Sequence, residues 1–87
     1  LMIRQGKYDS ALILLNQSLA ILKVFKDQIL EPRTMSRMAN VYTLKGEYAM
    51  AFSYYDSALA DYTMTKNNLG IAAVELGRGQ IYARQNK

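Results

Sequence analysis

Met35, Met38, Ala39 and Tyr42 fall at i, i+3, i+4 and i+7, while Arg33, Ser36, Arg37 and Asn40 occupy the other side of the same stretch. That period belongs to one apolar stripe on an α-helix. A second stripe, Ala51, Tyr55, Ala58, Leu59 and Tyr62, begins just past Gly46. Glycine closes a helix readily because it reaches the left-handed conformation at no steric cost. An earlier stripe, Ala11, Leu15, Ser18, Leu19 and Leu22, follows Gly6 at the same phase. Asp27-Gln28 and Asn67-Asn68 punctuate the other junctions, where short polar side chains favour turns. Pro32 stands in a first helical turn, which needs no amide donor there. The pattern predicts helices or helix parts over roughly 1–5, 8–26, 30–45, 48–66 and 69–85. Their connections are short, so successive helices are expected to run antiparallel.

GKYDSALILLNQSL at 6–19 is echoed by GEYAMAFSYYDSAL at 46–59. One offset of 40 residues pairs Gly6 with Gly46, Tyr8 with Tyr48, Ala11 with Ala51 and Leu19 with Leu59. The same offset pairs Lys26 with Lys66, Val41 with Ile81, Tyr42 with Tyr82 and Gly46 with Asn86. Asparagine is the residue that best replaces glycine in a left-handed turn. A repeated helical pair leaves an apolar face open, and only stacking against its neighbour completes a core. The expected fold is all-α: a solenoid of antiparallel helix pairs.

The repeat resembles the tetratricopeptide repeat. The family's order of large, small, aromatic, glycine turn, aromatic, alanine, bulky and alanine is met by Met38, Ala39, Tyr42, Gly46, Tyr48, Ala51, Tyr55 and Ala58. The first copy carries the later half, with Gly6, Tyr8, Ala11, Leu15 and then Ser18 in place of alanine. The third carries the earlier half, with Gly79, Tyr82 and Asn86. The resemblance implies a right-handed α-α superhelix forming a single domain over 1–87. It would comprise a partial repeat 1–28, a complete repeat 29–68 and a partial repeat 69–87 of a longer array. The family's usual period is about 34 residues, so the spacing of 40 points to its longer-helix variety. Arg78 stands where a bulky apolar residue is usual and Glu75 stands where a large one is common. A long arginine side chain is expected to lay its methylenes over apolar surface and keep its head in water.

The chain has 87 residues, just over half of them hydrophobic, with neither cysteine nor histidine. Disulfides and thiolate or imidazole metal sites are therefore excluded. No apolar run approaches a membrane span. The net charge of +4, from 11 basic and 7 acidic residues, is scattered, whereas a nucleic-acid footprint is denser. The carboxylates lie on polar faces or at helix ends, as Asp9 and Glu47 do in first turns, where negative charge is favoured. Gly77 and Gly79 lie in a helical pattern and form no phosphate loop. No enzyme and no cofactor is expected, and the cytoplasm is the default compartment.

In a helical solenoid the first helix of each pair lines the hollow side, the usual binding face. On the helix near 30–45 that face offers Arg33, Ser36, Arg37, Asn40 and Thr43. The third copy adds Gln80 and Arg84, together with Ala73, Gly77 and Ala83, and the first adds Ile3 and Arg4. The resemblance singles out Asn40, since an asparagine at the matching place in many family members holds a peptide backbone through its amide. Arg4, Arg37 and Arg84, with Arg33 at the edge, would suit an acidic peptide or a chain-terminal carboxylate, which arginine grips with forked hydrogen bonds. The leading expectation is a protein-interaction scaffold binding a peptide segment. The alternatives are a peptide-sensing part of a larger signalling protein and an RNA-reading helical repeat. Open apolar surface at both ends leads us to expect self-association, end to end or by exchange of helices.

Overall fold

The computed structural model describes residues 2–86, with side chains from residue 6. Four helices follow one another: α1 (Met2–Phe25), α2 (Leu30–Lys45), α3 (Tyr48–Met64) and α4 (Asn68–Gln85). Among the described residues there is no strand. Each helix packs on the next, and α2 also touches α4. This is the contact order of an all-α helical-repeat solenoid, in which layers meet only their neighbours. The assembly measures 37 × 28 × 17 Å.

Three of the helix ends share one backbone device. At Gly46 (φ 81°) the Gly46 N–H donates to Thr43 O and the Glu47 N–H to Tyr42 O. At Lys26 the donors are Lys26 N–H to Lys23 O and Asp27 N–H to Leu22 O; at Lys66 they are Lys66 N–H to Thr63 O and Asn67 N–H to Tyr62 O. This paired bonding is the Schellman stop, which satisfies carbonyls that the helix would otherwise leave open. Lys26 and Lys66, 40 residues apart, hold the left-handed conformation at φ 54° and 56° although neither is glycine. The polar residue after each lysine starts the next helix. Asp27 Oδ1 accepts from the Ile29 and Leu30 amides at 3.1 and 2.9 Å, and Asn67 Oδ1 accepts from Gly70 N–H at 3.0 Å. A left-handed non-glycine residue costs roughly 1 kcal/mol. Lys66→Gly is therefore expected to raise unfolding free energy by about 0.5–1 kcal/mol, even after the greater freedom of glycine in the unfolded chain. A urea titration followed by circular dichroism checks it; a lower midpoint would contradict the cost assigned to Lys66.

Two expected turns do not form. Gly6 lies inside α1, which runs unbroken from Met2, so the expected helix parts 1–5 and 8–26 are one helix. A glycine permits a left-handed turn without compelling one. Gly46 is held there because the helices on both sides pack face to face, whereas among the described residues no element pulls α1 back at Gly6. Asn86 has φ −94° and ψ 27°, outside the left-handed region.

In α2 and α3 the core lies where the stripes place it, whereas of the α1 stripe only Leu19 is fully buried, Ser18 is exposed, and Leu12 beside the stripe is buried instead. Met35, Met38 and Ala39 of α2 are buried, as are Ala51, Tyr55, Ala58 and Tyr62 of α3. Leu12 and Leu19 of α1 and Val74 and Ile81 of α4 complete the cluster. Tyr8 and Ala11 are half-buried, and Tyr48 packs on the core from its edge. Tyr42 stacks on Tyr54, with ring centres 5.5 Å apart and planes 10° from parallel. Tyr82, which takes the place of Tyr42 in the repeat, is half-exposed and meets only Phe52 among the described aromatic rings, at 5.1 Å. Arg78 behaves as expected of a snorkelling arginine, partly buried with its head 3.3 Å from Glu75 and 3.8 Å from Asp56.

Between α3 and α4 the packing is unusually close. A Cβ added at Gly70 would sit 2.4–2.6 Å from the Tyr62 ring, and one at Gly77 would sit 2.4–2.9 Å from the Tyr55 ring. The rings lie directly over backbone where α4 has no side chain. Gly77 is thus a packing residue covered by Tyr55, and it does not lie on the binding face where the repeat pattern puts it.

Candidate peptide-binding groove

Helix α2 turns its buried stripe toward α1 and α3, which leaves Arg33, Ser36, Arg37 and Asn40 on the opposite side at i, i+3, i+4 and i+7. These four line one open groove of ≈ 760 Å³ between α2 and the start of α4. Across it stand Leu69, Gly70 and Ala73, with Asn67 at the turn, and Leu15, Val41 and Tyr62 are apolar parts of its lining.

The polar groups of this wall are not consumed by the fold. Among the described residues no carboxylate comes within ion-pair distance of Arg33 or Arg37, although Lys23, Lys45 and Arg78 are all paired. The Ser36 hydroxyl is buried and has no hydrogen-bond partner among the described residues. Such a group forfeits its hydration without compensation, at roughly 1–3 kcal/mol, until a partner arrives. The Asn40 side chain is exposed and forms no hydrogen bond with the described residues. An amide offers both donor and acceptor, the pair that an extended backbone needs.

Lys45, outside the groove lining, is already paired. Its Nζ meets Asp9 at 2.6 Å and Glu47 at 3.0 Å, which ties α1 to the α2–α3 turn. The hydrogen bonds to Asp9 and Glu47 raise the Lys45 pKa. Tyr42, nearby, is also pushed up, first by burial and then by Tyr54.

Not every expected site residue joins the groove. Thr43 is buried, and its hydroxyl donates to Ala39 O at 2.9 Å, so it faces the core and offers nothing to a ligand. Three residues after Asn40 and four after the buried Ala39, it stands between the polar face and the core stripe, and packing draws it to the core. Gln80 and Arg84 are exposed on α4 but lie beyond the groove lining. The side chains of Ile3 and Arg4 fall outside the described residues. Ile29 and Leu69, strongly exposed apolar residues at the two turn ends, were missed as lining. Their signal was an apolar residue directly after each Asp/Asn turn, where the helical stripe alone gives no reason for one.

The helix order, the glycine stop and the groove on the first helix of a pair define a helical-repeat protein. Residues 33–65, which carry the polar wall, the Gly46 stop and all of α3, match the family model for the tetratricopeptide repeat, and that segment is a tetratricopeptide repeat. Repeats of this family generally serve as protein–protein interaction modules without catalytic activity. No curated protein and no solved structure matches the chain. No described helix is long and apolar enough to cross a membrane.

Proposed function

We propose that the groove between α2 and α4 binds an extended, acidic segment of a partner protein. The observation that carries this reading is the unspent polarity of one wall. Among the described residues Arg33 and Arg37 lack acidic partners and the Ser36 hydroxyl lacks a hydrogen-bond partner, on the same groove as Asn40. Guanidinium groups grip carboxylates in a forked geometry, and the Asn40 amide can hold peptide backbone. Leu69 and Ile29 add apolar surface for the side chains between. The chain then acts as a scaffold module, and a cysteine-free chain suits a reducing compartment such as the cytoplasm.

The test is fluorescence anisotropy with an acidic peptide library, each member made with a free and an amidated C-terminus and matched to neutral controls. Arg37→Ala and Asn40→Ala are expected to weaken the best acidic peptide about tenfold or more, in line with the loss of a charged hydrogen bond. Both positions are exposed, so the helical dichroism should stay unchanged. Equal affinity of the variants and the parent chain would remove the site from this groove.

A further inference from the structure

On the reading of the α2–α4 groove as a peptide site, on which this rests, we infer that its preferred ligand is a phosphorylated side chain of the partner segment. The phosphoryl group is held by Arg33, Ser36 and Arg37.

Arg33 and Arg37 stand at i and i+4 on α2, with Ser36 between them on the same groove lining. Side chains so spaced are neighbours, roughly 5–6 Å apart at Cβ, and like charges there repel and weaken a helix. The pair presents two positive charges and a forked set of N–H donors to one ligand group. A carboxylate brings one negative charge and two oxygens, so it neutralises one arginine and leaves the other uncompensated. A phosphoryl monoester brings about −1.5 to −2 charges at pH 7 and three acceptor oxygens. Its charge matches both arginines, and its three oxygens match two guanidiniums and one hydroxyl. Ser36 supplies that hydroxyl: its Oγ is buried without a hydrogen-bond partner among the described residues.

The rest of the groove agrees with a dianion. No Asp or Glu lines it. Across from α2 lie Asn67, Leu69 and Gly70 at the start of α4, an 18-residue helix with no acidic residue in its first turn. The positive end of that helix dipole borders the same space. Asn67 Oδ1 already accepts from the Gly70 amide at 3.0 Å, which leaves the arginines as the charged contacts. Asn40, three residues beyond Arg37, can hold the backbone beside the phosphorylated residue, and Ile29 and Leu69 offer apolar surface to its neighbours. A nucleic acid would bring a phosphate with every nucleotide, whereas this lining holds one cationic pair. That favours a single phosphorylated residue in a peptide.

Fluorescence anisotropy of the full chain with three degenerate peptide pools tests this. The pools share random flanks and differ at one central residue: phosphoserine, glutamate or serine. The phosphoserine pool is expected to bind about tenfold or more tighter than the glutamate pool, the gain from a further charged hydrogen bond. Its affinity should rise from pH 5.5 to pH 7.5, because the second phosphate ionisation near pH 6 completes the dianion. The ionisable side chains on the lining are Arg33, Arg37 and Tyr62, with no carboxylate or histidine among them. Arg33→Gln and Arg37→Gln, both at exposed positions, should each reduce the phosphoserine preference, with helical dichroism unchanged. Ser36→Ala should reduce it without loss of stability, since it removes a buried hydroxyl that lacks a partner. Asn40→Ala should weaken both pools and leave their ratio alone. Equal affinity for the phosphoserine and glutamate pools overturns the inference and leaves the groove reading standing. A preference that survives both arginine substitutions overturns it as well, as does a level pH profile or tighter binding of a single-stranded RNA oligonucleotide. Failure of all three pools would sink the groove reading and this inference together.

Discussion

Met38→Ala is expected to lower unfolding free energy by about 3 kcal/mol, within the usual range for truncating a fully buried methionine. Met38 has no exposed surface and sits on α2, the helix that touches all three others. Removing its thioether leaves a void bordered by helix backbones that the short alanines Ala39, Ala51 and Ala58 cannot fill. A domain of this size has only about 5–15 kcal/mol to lose, so the variant should unfold at much lower urea concentration. Met64→Ala is the matched control: Met64 is 78 % exposed, and its loss should change stability by less than about 0.5 kcal/mol. Equal shifts for the two variants would mean that α2 is not the central layer of the stack.

The second large effect reverses the sign that local propensity dictates. Alanine is favoured over glycine by up to about 1 kcal/mol inside a helix, so Gly70→Ala, Gly77→Ala and Gly79→Ala should all stabilise α4 if only propensity mattered. The structure separates them. At Gly79 the new methyl meets nothing within 4 Å, and stabilisation of roughly 0.5–1 kcal/mol is expected. At Gly70 and Gly77 the methyl would sit less than 3 Å from a tyrosine ring that is itself buried in the core. Rings so enclosed cannot swing into solvent, and α4 must move away from α3. Overpacking of this kind costs about 1–3 kcal/mol, which outweighs the gain in propensity. Thermal unfolding of the three single variants checks it. A rise in midpoint for Gly77→Ala would show that Tyr55 has room to yield.

These glycines mark the limit of what was legible. In the sequence Gly70, Gly77 and Gly79 are three glycines in one helical run, and nothing in spacing distinguishes a glycine that accepts a ring from one that faces water. The distinction depends on Tyr62 and Tyr55, which belong to a different helix and stand 8 residues before Gly70 and 22 before Gly77. Gly6 and Gly46 pose the same problem for turns. Their local sequences, QGKY and KGEY, share the glycine and the tyrosine two residues on, yet one glycine is helical and the other left-handed. Only Gly46 has a helix packed face to face on each side, and that packing holds the turn. Thr43 was placed on the binding side by adjacency to Asn40, whereas its burial follows from where α3 lies.

The sequence by itself determined the helical class, the left-handed stop at Gly46, the buried stripes of α2 and α3, and the gathering of Arg33, Ser36, Arg37 and Asn40 on one face. All of these follow from the 3.6-residue period and from glycine's freedom at φ, which act within a single helix. Tertiary structure alone decided which glycines are seats for tyrosine rings, that Leu69 and Ile29 border the groove, that Tyr82 stays half-open, and that Arg33 and Arg37 meet no carboxylate among the described residues. Each of these depends on the distance between side chains of different helices. That distance is set by how closely whole faces pack, a property that no one helix contains.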